Sequence, residues 1–397
     1  MFNKMTLKDY VLEGKKVLLR VDYNVPLNSN LQITNDRRIR ESLPTLKYLI
    51  EQKAKIIICS HLGRPEGKVV PEFSMEPVAE RLRKLLKKPV ILTNDVAGTD
   101  TFKFVRSMKN GDIIMMQNLR FEPGEEENDP DFVRRLASVG EIYCNDAFGT
   151  LHREHASITG VAKEMPSCVG LLVERELKTF DKILNNPDKP FVVLVGGSKV
   201  KDKIDLIDNL LEKADTIMIG GAMAYTFLRA QGYNMGKSLV EKDKISMARQ
   251  ILEKAEKVGT RILLPVDHVA AGEFNFSAQS IVVSTDKFPR NLMGMDIGPK
   301  TLAIYKRFLA RAKTAFWNGP MGVFEFQKFA KGTNEVAKTL AKSPYMTMVG
   351  GGDSISAVEG LELQDKIKFI STGGGASLKL LEGKVLPGVE AIQDKFE

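Results

Sequence analysis

The sequence predicts an α/β protein made of two doubly wound, Rossmann-like parallel-sheet domains joined by a connecting helix and hinge. Three observations carry this. The chain has 397 residues, more than one compact core usually accommodates. Short β-rich runs alternate with helical runs along its whole length, the pattern of a parallel sheet with helices on both faces. In the second half nearly every β-rich run ends in glycines, and open α/β sheets bind ligands beyond the carboxyl ends of their strands.

In chain order, Val17–Asp22 reads as a strand ending in RVDYNVP and Pro44–Ile50 as helical. Ile56–Cys59 is a strand running into SHLGRP. Ser74–Leu86 is an amphipathic helix with Met75, Val78, Leu82 and Leu85 on one face and Ser74 as N-cap. Ile113–Gln117 runs into NLRFEPGEE, and Ile142–Asn145 into DAFGTLHREHAS. Val173, Leu177, Phe180 and Leu184 share one helical face within Gly170–Leu184, closed by Asn185-Asn186-Pro187, and this is the expected connecting helix. Further strands are expected at Phe191–Val195, Thr216–Ile219, Ile262–Val266, Ile281–Val283, Thr314–Trp317, Met346–Val349 and Phe369–Ser371. The expected division is 1–170, an interdomain helix in 171–188, a second domain over 189–377, and a segment 378–397 returning to the first domain.

Composition narrows the function. Apolar residues make up 43% and charged residues 27%, which is ordinary for a globular protein. The formal charge of +8 suits anionic partners. There is no dominant Lys/Arg block, RNP-like motif or helix-turn-helix pattern, so small anions are expected rather than nucleic acid. No apolar run approaches membrane-spanning length, and the N-terminus has no apolar signal core. Three widely spaced cysteines, Cys59, Cys144 and Cys168, read as reduced thiols in a cytoplasmic protein.

The two halves differ in loop chemistry. Strand ends of the first half carry Asp22, Asn24, Arg38, His61, Arg64, Arg120, His152, Arg153 and His155, a constellation suited to a small, multiply anionic substrate. His152 and His155 lack a nearby third ligand, so metal is not expected there. The second half carries glycines with Lys199, Lys203, Glu325 and Asp353. VGGSKVKDK, Val195–Lys203, is a strand followed by a glycine turn and a helix, and its two lysines share a face if the turn is helical. It is not a Walker A loop, and no GxGxxG is present. Asp353 reads as an N-cap on its bare pattern, and as a magnesium neighbour if a nucleotide binds. FISTGGGAS, Phe369–Ser377, reads as a strand, a triple glycine and a helix start, able to bring backbone N–H groups up to an anion.

Together these segments resemble the phosphoglycerate kinase family over essentially the whole chain: VLLRVDYNVP, SHLGRP, NLRF, NDAFGTLHREHAS, GGSKVKDK, GGAMAYTFL, WNGPMGVFE, VGGGDS and STGGGAS occur in the family's order. The resemblance implies a glycolytic, ATP-binding phosphotransferase that binds 3-phosphoglycerate in its first domain and Mg2+ with ATP/ADP in its second. It also implies a hinge-bending, cytoplasmic monomer. Asp22 and Asn24 would contact the glycerate, and His61, Arg64, Arg120 and Arg153 its phosphate. The key arginine of the family's I-T-x-x-x-R-I pattern falls on Arg38 rather than Arg37. Lys199 and Lys203 would face the nucleotide phosphates, Glu325 the ribose, and Gly220, Gly221 and Gly294 the adenine. Gly351, Gly352, Asp353 and Ser354 would bind the nucleotide, with Asp353 next to its Mg2+. Gly373, Gly374 and Gly375 would meet the transferred group. Small departures are Tyr23, Ser198, Leu151 and Glu154, the last expected to point to solvent. Two other readings are a non-catalytic polyanion-binding protein and a kinase for a different small carboxylate.

Overall fold

A computed structural model describes residues 3–395. The chain forms two compact units, Met1–Thr179 with Val385–Glu397, and Phe180–Lys384. The helix Leu171–Asn185 carries the chain from one to the other, and the division falls within it.

The first unit holds a six-stranded parallel sheet. Its strands are β1 (Lys16–Arg20), β2 (Lys55–Cys59), β3 (Ile91–Leu92), β4 (Ile113–Met115), β5 (Ile142–Asn145) and β6 (Ser167–Val169), in the order β3-β4-β2-β1-β5-β6. β1, β2, β4 and β5 are almost wholly buried apolar runs, as strands covered on both faces require. The helix Glu76–Leu86 packs Val78 and Leu82 into this core. Its boundary residue is Met75, one place later than the expected Ser74, although the Ser74 hydroxyl still accepts the Glu76 N–H at 3.3 Å.

The helix expected from Pro44 begins seven residues earlier and spans Arg37–Glu51, with Pro44 inside it. Proline is commonest in a first helical turn, so it reads as a start signal. The extra N-terminal turn, Arg37-Arg38-Ile39-Arg40, is too polar to show an apolar stripe. The C-terminal segment that groups with the first unit begins at Val385 rather than at 378, because the helix Gly375–Leu381 stays with the second unit. The Met5 N–H donates to the Gln393 carbonyl, and the Gly388 N–H to that of Leu151.

The second unit has a six-stranded parallel sheet built from β7 (Phe191–Val195), β8 (Thr216–Ile219), β9 (Arg261–Leu263), β13 (Thr314–Asn318), β14 (Met346–Gly350) and β15 (Phe369–Ile370). Its order is β15-β14-β13-β7-β8-β9. An added three-stranded antiparallel sheet holds β10 (Asp267–Ala271), β11 (Ser280–Ser284) and β12 (Met293–Ile297). Of these three, only β11 shows as a strand in the sequence. β10 and β12 carry glycine, aspartate, alanine and methionine, which give no β-branched run. Trp317 is fully buried in this unit's core.

The chain runs outward from β7 toward β9, then resumes on the other side with β13, so the switch point lies between β7 and β13. A crevice forms at such a point because flanking connections leave in opposite directions.

Asp146 ties the helix Leu171–Asn185 to β5. Its Oδ1 accepts the Leu172 N–H at 2.9 Å and the Val173 N–H at 3.3 Å. Burial outweighs these bonds and pushes the carboxyl up to about 6 from 3.8. The native state therefore holds a proton that the unfolded chain releases between these values. The contribution is present below about pH 4 and is lost as pH rises through 6. Asp146→Asn is expected to gain stability relative to the parent across that interval, by up to about 1.4 kcal/mol per pH unit. Urea unfolding at several pH values checks this, and a pH-independent difference counts against it.

Candidate active site

Parallel register sets the first group of residues. Arg20 is level with Cys59 and with Asn145, so the loops beginning at Val21, Ser60 and Asp146 leave the sheet along one edge. Buried Asn118, in the loop after β4, fastens the Ser60 loop to its own. Its Oδ1 accepts the Leu62 and Arg120 N–H groups, and its Nδ2 donates to the Leu62 carbonyl at 2.6 Å. Asn24 Oδ1 accepts the Gly63 N–H at 2.9 Å, and Arg120 Nη1 donates to the Gly63 carbonyl at 2.7 Å.

On this scaffold Arg38 Nη1 lies 2.7 Å from Asp22 Oδ2. Arg37, one residue earlier and about 100° around the helix, lies 3.9 Å from Glu41 instead. The two arginines therefore face different partners, and Arg38 is the one that joins Asp22. Arg64 and Glu154 are exposed, and Arg153 is half-buried.

His61 is 2% exposed. Its Nδ1 is 3.2 Å from Arg20 Nη2, and its Nε2 has no hydrogen-bond partner among the described residues. Arg153 Nη1 is likewise buried without an acceptor. Burial, then the charges of Arg20, Arg120, Arg153 and Arg38, hold the imidazole well below its usual pKa of 6.5. It is neutral at physiological pH. Burial also lowers Arg120 and Arg153. Buried donors without acceptors are costly, and here they sit among guanidinium groups, an environment that wants an anion.

In the second unit a cavity of about 570 Å³ opens at the β7/β13 switch point. Gly196–Lys199, Lys203, Asn318–Pro320 and Gly351–Ser354 line it. The turn carrying Lys199 and Lys203 is not helical, since the helix begins at Ile204. Both lysines still line the cavity. Lys203 Nζ donates to Asn318 Oδ1. Burial lowers its pKa, opposed by Asp202, Asp353 and Glu382. Asp353 does not cap its helix. Gly351 is the N-cap, at φ +86°, and exposed Asp353 lies within the first turn of Gly352–Gly360. Ser354 is buried and its Oγ accepts the Gly319 N–H at 2.6 Å.

The glycines divide into two kinds. A Cβ on Gly196 would stand 2.1 Å from the Pro320 carbonyl oxygen, and one on Gly221 would stand 2.5 Å from that of Gly197. These positions let backbone pack on backbone. Gly374, at φ +46°, caps the helix Gly375–Leu381 and faces open space, while Gly373 is buried and its N–H donates to Ser371 Oγ. Gly220, Gly221, Gly294, Glu325 and Gly373–Gly375 do not line the 570 Å³ cavity. Gly294 sits in β12 against Tyr225, and Glu325 is exposed on the loop after β13.

Sequence reasoning missed Arg20, Glu125, Ser157, Asn118 and Asn318. A signal existed for Arg20, a charge closing an apolar strand. Glu125 lies in an acidic run that reads as a solvated surface.

Arginines on one parallel sheet edge, with lysines and bare glycine backbone on the other, define an α/β protein built to handle phosphoryl groups. The phosphoglycerate kinase profile matches residues 7–384. Curated relatives named phosphoglycerate kinase include those of Chlorobium phaeobacteroides, 51% identical over 98% of this chain and 100% of that protein, and Clostridium perfringens, 50% identical over 99% and 100%. The phosphoglycerate kinase structure from Coxiella burnetii superposes with a TM-score of 0.91 at 42% identity, covering 98% of each chain. That from Pyrococcus horikoshii gives 0.83 at 33%, also over 98% of each. The chain belongs to the phosphoglycerate kinase family, and it is an enzyme, a glycolytic kinase.

Burial also pulls His155 and His268 down to about 4 from 6.5. The unfolded chain then takes up protons near pH 6.5 that the native state refuses, so stability is lost as pH falls from about 6.5 toward 4. NMR titration is expected to give midpoints near 4 for these two histidines and one well below 6.5 for His61. A midpoint above pH 6 for any of them counts against the buried, neutral assignment.

Proposed function

We propose that the enzyme catalyses reversible phosphoryl transfer from the acyl phosphate of 1,3-bisphosphoglycerate to ADP, giving 3-phosphoglycerate and ATP. Transfer is direct and in line. The observation that carries this reading is the cavity that gathers Lys199, Lys203, Asp353 and bare glycine backbone at the β7/β13 switch point. In the ATP-consuming direction the nucleophile is the substrate carboxylate, ionised at neutral pH, so no general base is needed. What the chain must supply is position and positive charge.

Asp22 and Asn24 orient the glycerate, and His61, Arg64, Arg120 and Arg153 hold its phosphate. Lys199 and Lys203 take the nucleotide phosphates, and Glu325 takes the ribose. Gly220, Gly221 and Gly294 border the adenine. Gly220 and Gly221 act by shaping the loop, since a side chain on either would strike the strand-end backbone or Met321. Arg38 and the N–H groups at Gly373–Gly375 stabilise the group in flight.

Magnesium fits the donor set. It takes oxygen ligands and keeps few protein carboxylates beside phosphate oxygens. Among the described residues no His/Cys/Asp/Glu cluster forms a ready cage, so Asp353 would hold the ion together with a bound nucleotide. When bound, the ion neutralises charge on the phosphates.

The two residue sets belong to different units, so direct transfer requires the units to close and exclude water. We further propose a cytoplasmic monomer. No helix of the described residues is long and apolar enough to cross a membrane.

A coupled assay with 3-phosphoglycerate and ATP tests the activity, and no turnover by folded protein overturns it. Arg38→Ala is expected to lower kcat by roughly two to three decades with substrate binding largely kept, and Arg37→Ala far less. The reverse order would reassign the key arginine. Gly374→Ala meets no neighbour but must hold φ +46°, and is expected to reduce turnover more than nucleotide affinity. Small-angle scattering with both substrates is expected to show compaction, and an unchanged radius would sink the closure step.

A further inference from the structure

Arg20 is 1% exposed, yet it belongs to none of the substrate contacts above. Its Nε donates to Ser157 Oγ at 2.8 Å, and its Nη1 donates to the Val21 carbonyl. The Ser157 hydroxyl donates onward to Glu125 Oε1 at 2.6 Å, and the Ser157 N–H to Glu125 Oε2 at 3.0 Å. Glu125 is fully buried. Tyr143 Oη closes the network on the Ser157 carbonyl at 2.5 Å, and Asn145 Nδ2 donates to Tyr143 Oη at 2.8 Å. This is a polar network deep in an apolar unit, with its hydrogen-bond directions set by chemistry.

A guanidinium has donors and no acceptor. The 3.2 Å contact from Arg20 Nη2 to His61 Nδ1 therefore needs a lone pair on Nδ1. In a neutral ring the proton then sits on Nε2. Among the described residues Nε2 is buried without a partner, and so is Arg153 Nη1 in the same cationic cluster.

We infer that Arg20, anchored by Ser157 and Glu125, is a positioning residue that fixes His61 as the neutral Nε2–H tautomer, so that His61 and Arg153 present preorganised donors to one phosphoryl oxyanion. Arg20 does not touch that anion; it acts through the ring. Arg20 donates both ways, to His61 Nδ1 and to Ser157 Oγ, and along the second arm the bonds run on from Ser157 to Glu125, so that each polarises the next. The fixed tautomer removes the need for the ring to reorganise when the anion arrives. Assigning that anion to the substrate rests on the function proposed above, but the tautomer does not.

Long-range 1H–15N NMR of the full-length, ligand-free protein near pH 7 tests the tautomer directly. A single His61 form protonated at Nε2 is expected, and an Nδ1-protonated form or a mixture overturns the inference. Titration with inorganic phosphate is expected to shift the Nε2–H and an Arg153 side-chain resonance together, and no shift overturns the donor pair. Arg20→Lys leaves one mobile ammonium in place of the fork. It is expected to mix the tautomers and raise KM for 3-phosphoglycerate about 10-fold to 100-fold, with a smaller change in kcat. An unaltered tautomer in that variant overturns the role of Arg20. Ser157→Thr, which keeps the hydroxyl, is expected to keep the parent tautomer, and a mixed ring there overturns the anchoring. If Arg20→Lys does not fold, the parent spectrum alone decides. An Nε2–H ring that responds to phosphate in a protein without kinase turnover would leave this inference standing and remove the functional reading.

Discussion

A parallel sheet delivers all its strand carboxyl ends to one edge, and the rest of this molecule follows from that constraint. In the first unit the edge gathers the loops after β1, β2, β4 and β5. In the second it gathers those after β7, β13 and β14. Residues far apart in the chain become neighbours without any one of them having to be unusual. The edge is also where backbone pairing stops, so every group there needs another partner.

The two units meet that need differently. The first uses long side chains, with Asn118, Asn24 and Arg120 bonding loop backbone and Arg20 reaching into a buried Ser157–Glu125 pair. The outcome is a cationic cluster with donors left over among the described residues. The second unit removes side chains. Gly196, Gly221 and Gly319 let backbone approach backbone, and Asn318 and Ser354 fasten the turns. The outcome is a cavity whose walls combine bare glycine backbone with three lysines and the carboxylates of Asp202, Asp205, Asp353 and Glu382. A compact phosphorylated acid suits the forks of arginine, whereas a phosphate chain suits extended backbone and point charges.

Burial governs the protonation states. His61 stays neutral within a cluster of arginines because desolvation and like charge act in the same direction. Asp146 is raised because burial outweighs two backbone donors. In both, the burial that sets the charge also sets the geometry.

The sequence by itself determined the α/β class, most of the parallel strands, and the sorting of arginines into one half and glycines with lysines into the other. These are local properties: runs of apolar residues, turn residues, and charge near strand ends. It did not determine the early start of the Arg37–Glu51 helix, the strands β10 and β12, or the N-cap at Gly351. There tertiary packing overrides weak local preference. Nor could spacing show that Arg38 and Arg37 face different partners, that Ser354 and Gly221 serve the scaffold, or that Glu125 in an acidic run is buried. Those facts arise only when separate strands come into register, because hydrogen-bond direction and desolvation belong to the assembled edge rather than to any one segment.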